Sequence, residues 1–189
     1  MSKFLDKLEG ELADIEQLGA SDLNHLRIKT QLYTTWIEKK SKLLPPSSDL
    51  LLQAGGSLAL LLSHMGSSEQ VLGKREMLIR QRIKVLDMVD RKSMSRLKGF
   101  ELFKLYLVLS DRLKLLTSQK SENQEKILSL VSTQQHTLVE ATVLLADDVL
   151  IPAQVATAYK DMQQIHGTEL LAYMQQIIQN KYNKTYIML

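Results

Sequence analysis

The sequence predicts an all-α protein, and three observations lead to that prediction. Only three prolines and eight glycines interrupt the 189 residues, so long segments run without a helix breaker. Apolar residues recur at intervals of three and four, which places them on one face of a helix. Hydrophobic residues make up 44% of the chain and charged residues 24%, as in most folded domains. We expect an elongated antiparallel helical bundle, or a coiled-coil-like hairpin of long helices, folded as a single domain over residues 1–189.

Two N-terminal helices are predicted within residues 1–44. Gly19 separates them, and Ser21 offers an N-cap for the second helix. Pro45 ends that helix, because proline lacks the amide hydrogen that a helix needs. The stripe of the first helix has spacings of three, four and three, and it consists of Leu5, Leu8, Leu12 and Ile15.

A short apolar helix is predicted over residues 47–66. Its central part, residues 50–62, is the most hydrophobic stretch of the chain, and Gly55 and Gly56 within it would let a neighbouring helix approach closely. It is too short to cross a bilayer, which takes about 20 consecutive apolar residues. Two interpretations stay open: a buried core helix, or an apolar element that inserts part-way into a membrane.

A basic helical arm is predicted over residues 67–116. Within it, residues 100–109 are apolar on both sides of a helix, so we expect the deepest burial there. The packing stripe of the arm is predicted to consist of Met77, Ile83, Leu86, Val89, Leu97, Phe100, Phe103, Leu107 and Leu113.

The C-terminal part predicts two further helices, over residues 122–150 and 153–183, with Pro152 between them. Residues 117–126 contain no apolar side chain, so we expect the chain to turn there. Such a turn would place the basic arm antiparallel to the more acidic residues 122–148. We therefore expect ion pairs between these two helices, although a single helix over residues 69–150 is the alternative.

Positive charge is concentrated in residues 74–114, which carry twelve basic and five acidic residues, a net charge of +7. These cations either pair with acidic neighbours inside the bundle or form a surface for an anionic partner. The residues predicted for such a surface are Lys74, Arg75, Arg80, Arg82, Lys84, Arg91, Lys92, Arg96 and Lys98.

Residues that carry enzyme chemistry are sparse in this sequence. Cysteine is absent, which excludes thiolate nucleophiles and thiolate metal sites. The four histidines fall in four different predicted helices and form no metal-binding pair at helical spacing. Neither a glycine-rich phosphate loop nor a nucleophile elbow occurs. We expect a protein that is not an enzyme, with no catalytic residue, cofactor, metal or small-molecule substrate.

Three functional hypotheses follow. The first is a structural or interaction protein that assembles through its helices with itself or with partner proteins. The alternative is a peripheral membrane module that uses the basic face of residues 74–114, with residues 50–62 as an insertion element. The third and weakest is nucleic-acid binding through the same basic stretch. The acidic N-terminus does not resemble a signal peptide and no transmembrane helix is expected, so we predict a cytoplasmic protein.

Overall fold

The computed structural model describes residues 2–89, 92–118 and 124–145, together with positions 157 and 160. These residues form α-helices, and no β-strand occurs among them, so the predicted all-α fold is confirmed. The helices are α1 (Ser2–Gln17), α2 (Leu23–Lys40), α3 (Asp49–Ser63), α4 (Glu69–Val89), α5 (Lys92–Ser118) and α6 (Gln124–Leu145).

Contacts group the chain into two compact units, residues 1–85 and residues 86–189, which we call unit 1 and unit 2. The predicted basic arm corresponds to α4 and α5, and the predicted helix 122–150 corresponds to α6. The predicted helix 153–183 lies outside the described residues, apart from the helical positions 157 and 160. The elongated shape and the single domain stay predictions.

The start of α2 differs by one residue from the sequence prediction. Asp22, not Ser21, is the N-cap, because its carboxylate accepts a hydrogen bond of 2.9 Å from the backbone N–H of His25. That bond, together with the imidazole of His25, lowers the pKa of Asp22. A carboxylate at this position satisfies an amide that has no partner within the helix.

The end of α1 is held by a side chain from α2. The ammonium group of Lys29 donates to the carbonyl oxygens of Glu16 and Leu18, at 2.8 and 2.7 Å. Carbonyls at a helix C-terminus lack partners within the helix and attract positive charge. A second polar contact between the same two helices is the ion pair of Lys40 with Glu11, at 2.6 Å, which lowers the pKa of Glu11.

The core of unit 1 is built around α3. Leu51, Ala54, Leu58 and Leu62 of this helix are buried, and so is the backbone at Gly55. α1 contributes its predicted stripe, and α2 contributes Tyr33 and Trp36 in place of a run of leucines. The buried cluster comprises Leu8, Leu12, Ile15, Tyr33, Trp36, Leu44, Leu51, Ala54, Leu58, Leu62 and Leu78.

The buried side of α4 differs from its predicted stripe. Met77 is 57% exposed, whereas Leu78 and Ile79 are buried. Leu78 joins the core of unit 1 and lies 3.8 Å from where a Cβ on Gly55 would be. The small residues of α3 therefore let α4 approach closely, as expected from the sequence.

In unit 2, α5 and α6 pack side by side and run antiparallel. Ser110 accepts a hydrogen bond from Gln134 at 2.7 Å, while Gly99, near the other end of α5, contacts Leu145. The predicted stripe of α5 was wrong at Leu97 and Leu107, which are exposed. Phe103 of that stripe is buried as predicted, and the other buried apolar residues of α5 are Leu102, Leu105, Val108, Leu109 and Leu116.

Candidate functional surface

The predicted basic residues that belong to unit 1 lie on α4, and several of them make contacts within the protein. Lys74 donates to the hydroxyl of Thr34 at 3.0 Å, which connects α4 to α2. Arg80 pairs with Glu76 at 2.7 Å on the same helix. Such a contact leaves the charge of an exposed side chain largely available to solvent.

Arg82 of α4 connects that helix to α3. Its guanidinium group lies against Gly56 of α3 and donates to the backbone carbonyl of Leu52. Arg75 is half-buried, and Lys84 is exposed. The predicted cations of α4 thus range from the half-buried Arg82, which is bonded to α3, to the exposed Lys84, and they do not share one environment.

In unit 2, Lys98 connects three helices. Its ammonium group lies 2.6 Å from Asp87 of α4 and 2.7 Å from Glu140 of α6. Burial alone would lower the pKa of Lys98, but the hydrogen bonds to these two carboxylates outweigh it and raise that pKa. Lys98–Glu140 is a contact of the kind expected between the basic arm and the acidic helix.

Arg96 is exposed, and its guanidinium carbon lies 5.7 Å from the ring centroid of Phe100, a cation–π distance. Arg91 and the side chain of Lys92 lie outside the described residues. The nine predicted cations therefore occupy different environments in two units. A role for them in binding an anionic partner stays a prediction.

A second surface was not predicted from the sequence. One side of α5 presents residues at alternating intervals of three and four, the spacing of a coiled-coil seam. We call it the α5 outer face. Its residues are Leu97, Phe100, Lys104, Leu107, Asp111, Lys114 and Ser118.

Large apolar side chains on the α5 outer face are open to solvent. Leu97 is 50% exposed and Leu107 is 41% exposed, while Phe100 between them is half-buried. The buried residues of α5 lie at other positions around the helix. α5 therefore carries apolar side chains on two faces, one of them buried and the other partly exposed.

Charged residues on the α5 outer face interact along their own helix. Lys104 pairs with Glu101 at 2.9 Å, and Lys114 lies 3.6 Å from Asp111. Arg96 borders the face beside Phe100. Three cations and one carboxylate thus lie on or beside the face, and all are within reach of a neighbouring helix.

One sequence signal did point to this surface. Residues 100–109 are apolar on both sides of a helix, which indicates that one face cannot account for them. The sequence does not say which side packs against α6. Leu97, Phe100 and Leu107 fit a packing stripe by spacing, and only the structure shows that Leu102, Leu105 and Leu109 are the buried residues.

Ser21, Asp22 and His25 lie together, but Ser21 and Asp22 both contact Nδ1 of His25, at 3.5 and 2.8 Å. A relay of the serine–histidine–aspartate kind needs one partner on each ring nitrogen, so this cluster acts as a helix cap. Among the described residues, no group of three or more acidic or histidine side chains is placed to hold a metal ion.

The comparisons with known proteins give no further identification. No protein family model, curated protein or solved structure matches this chain. None of the described helices has both the length and the apolar content needed to cross a bilayer.

Proposed function

We propose that this protein is a non-enzymatic structural or interaction protein that acts by packing its helices against another protein chain. The observation that carries the proposal is the second apolar face of α5. Leu97, Phe100 and Leu107 have coiled-coil spacing and keep part of their apolar surface exposed. A helix that uses one apolar face inside its own unit and leaves another one accessible is suited to a partner helix.

The expected energy of such packing is sufficient for specific association. Covering an exposed Leu or Phe side chain contributes up to about 1.5–3 kcal/mol, in proportion to the apolar area removed from water. The α5 outer face offers three such side chains at the same seam. Association also has an entropic cost of several kcal/mol, so the face supports a moderate affinity rather than a permanent interface.

The burial of α3 supports assembly over membrane insertion. The segment proposed as an insertion element forms the centre of unit 1, where Leu51, Leu58 and Leu62 are buried. Exposing them to lipid would require opening that core. Lys98 and Arg82 likewise make contacts between helices, which supports a structural use of part of the positive charge.

Size-exclusion chromatography with light scattering tests the proposal on the purified full chain and on the tagged chain isolated from its source cells. We expect a mass above the monomer mass of 21.5 kDa, or a stoichiometric co-eluting protein. A particle of monomer mass at every concentration, without a co-eluting protein, would contradict assembly. Co-elution with phosphatidylserine vesicles instead would favour the membrane alternative.

A further inference from the structure

We propose that the α5 outer face binds the same face of a second copy of this chain, in an antiparallel pair whose two-fold axis passes near residue 102. This inference rests on the proposed assembly function and specifies its partner. A two-fold contact uses the same patch on both copies, so the patch must complement itself. The α5 outer face meets that requirement in one register.

In this register, apolar residues face apolar residues. Leu97 lies opposite Leu107 of the second copy, and the symmetry repeats that contact on the other side of the axis. Phe100 lies opposite Lys104 of the second copy, whose methylene stem and ammonium group suit an aromatic ring. The four central positions are therefore filled by two leucine pairs and two Phe–Lys pairs.

The charges complement each other in the same register. Asp111 lies opposite position 93 of the second copy, one helical turn from Arg96. An arginine side chain is long enough to bridge that turn, so Arg96 of one copy and Asp111 of the other form two symmetric ion pairs. Both side chains are accessible, and Asp111 keeps Lys114 as a neighbour.

Other arrangements of the same face are less favourable. A parallel pair would place Lys104 against Lys104 and Asp111 against Asp111, which are like-charge contacts. An antiparallel pair shifted by one heptad in one direction would place Leu97 against Lys114 and Phe100 against Asp111. The opposite shift would place Leu97 against Phe100, but it would leave Leu107 opposite position 90, before α5 begins at Lys92. The parallel pair and the first shift bring like charges together or place charges against apolar side chains, and the second shift leaves Leu107 without a facing residue on α5. The register centred near residue 102 is therefore preferred.

The size of the contact determines its strength. The paired segment covers residues 93–111, about 28 Å of helix at 1.5 Å per residue. One helix pair of this length covers less than the roughly 800 Å² per partner of a standard stable interface. We therefore expect a reversible dimer whose population rises with protein concentration.

Sedimentation equilibrium on the full chain tests the surface. Leu107→Glu introduces a charge at both symmetric leucine contacts, and we expect it to raise the dimer dissociation constant by about a hundredfold. The matched control is Leu60→Glu, on a leucine of unit 1 that is 64% exposed, which leaves the dimer unchanged. An equal effect of the two substitutions would contradict the assignment to α5.

Charge reversal tests the ion pairs. Arg96→Asp and Asp111→Arg should each weaken the dimer by about tenfold, and the double variant should recover most of that loss. A local disturbance of α5 by either substitution would persist in the double variant. Failure of the double variant to recover dimerisation would therefore contradict these ion pairs.

Disulfide cross-linking tests the register, and the absence of native cysteine makes it clean. A mixture of Leu97→Cys and Leu107→Cys chains should form a cross-linked heterodimer, because these positions face each other. Neither variant alone should cross-link efficiently, because identical positions lie about 15 Å apart along the axis. Equal cross-linking of the single variants would contradict the register.

The outcomes separate this inference from the proposed function. Self-association of the wild-type chain that is insensitive to every α5 substitution would overturn the inference and leave assembly supported. A strictly monomeric wild-type chain would also overturn it. In that case, a stoichiometric co-eluting protein would support the proposed function, and its absence would contradict it.

Discussion

The leucines of α3 lie mostly within the core of unit 1, whereas those of α5 are divided between a buried face and an exposed one. α3 is the more hydrophobic helix, and from composition it would be the first candidate for contact with another molecule. The structure reverses that order: α3 supplies the core, and α5 keeps Leu97 and Leu107 accessible. Hydrophobicity thus indicates burial, and the spacing of apolar residues around the helix indicates how many neighbours it has.

The largest expected difference between the two helices is in unfolding free energy. Leu58→Ala on α3 removes a side chain that is 1% exposed and should destabilise the protein by about 2–5 kcal/mol. Leu107→Ala on α5 should change stability by less than about 0.5 kcal/mol in dilute solution. Guanidinium denaturation measures both. Equal losses would mean that the α5 outer face is part of a core.

A smaller difference is expected between two helical glycines. A Cβ on Gly99 of α5 would lie 2.7 Å from Cγ of Leu145, which is fully buried, so Gly99→Ala should destabilise by about 1–3 kcal/mol. A Cβ on Gly56 of α3 would meet only the flexible end of Arg82. Gly56→Ala should be nearly neutral, because alanine favours helix by about 1 kcal/mol. A larger loss at Gly56 would show that Arg82 is held rigidly.

The polar contact between α5 and α6 should contribute less than the apolar ones. Lys98→Met removes the ammonium group that Asp87 and Glu140 share, and we expect a loss of about 1 kcal/mol. The control is Lys114→Met, which removes a weaker pair at 3.6 Å and should have an effect of a few tenths of a kcal/mol, at about the limit of detection. Thermal denaturation of both variants at low salt makes the comparison. Indistinguishable losses would assign Lys98 no special role.

The smallest predicted effect is the pH dependence of the Lys98 contribution. Its pKa is raised in the folded protein, so its stabilisation is complete below an unfolded-state pKa of about 10.4 and is lost as pH rises through the higher folded-state pKa. The stability gap between wild type and Lys98→Met should therefore narrow between neutral pH and about pH 11. Denaturation at these two pH values measures it. If the stability difference between the two proteins widened instead, the pKa of Lys98 would be lowered by folding, and the prediction would be wrong.

Much of the fold was predictable because apolar residues recur at intervals of three and four along the sequence. The stripe of Leu8, Leu12 and Ile15 has a single face, so it predicts both the helix and its buried side. The expected charge pairing between the basic arm and the acidic helix is represented by Lys98 and Glu140.

The buried face of α5 and the N-cap of α2 could not be predicted, because the local sequence fits more than one arrangement. α5 has apolar residues on two faces, and only the folded structure shows that Leu102 is buried and Leu107 is exposed. At the start of α2, Ser21 and Asp22 are both good N-caps, and backbone geometry selects Asp22. The α5 outer face was hidden for the first of these reasons. Its apolar residues, Leu97, Phe100 and Leu107, fit the predicted packing stripe by spacing.

The end of α1 shows that a helix terminus can be stabilised by a residue outside that helix. The backbone carbonyls of Glu16 and Leu18 accept hydrogen bonds from the ammonium group of Lys29, a residue of the following helix. The C-terminal carbonyls near the end of α1 are therefore satisfied by a side chain of α2. In terms of modularity, α1 is not a self-contained unit that can be transplanted alone. The carbonyl groups at its C-terminal end find these hydrogen-bond donors only when α2 is present.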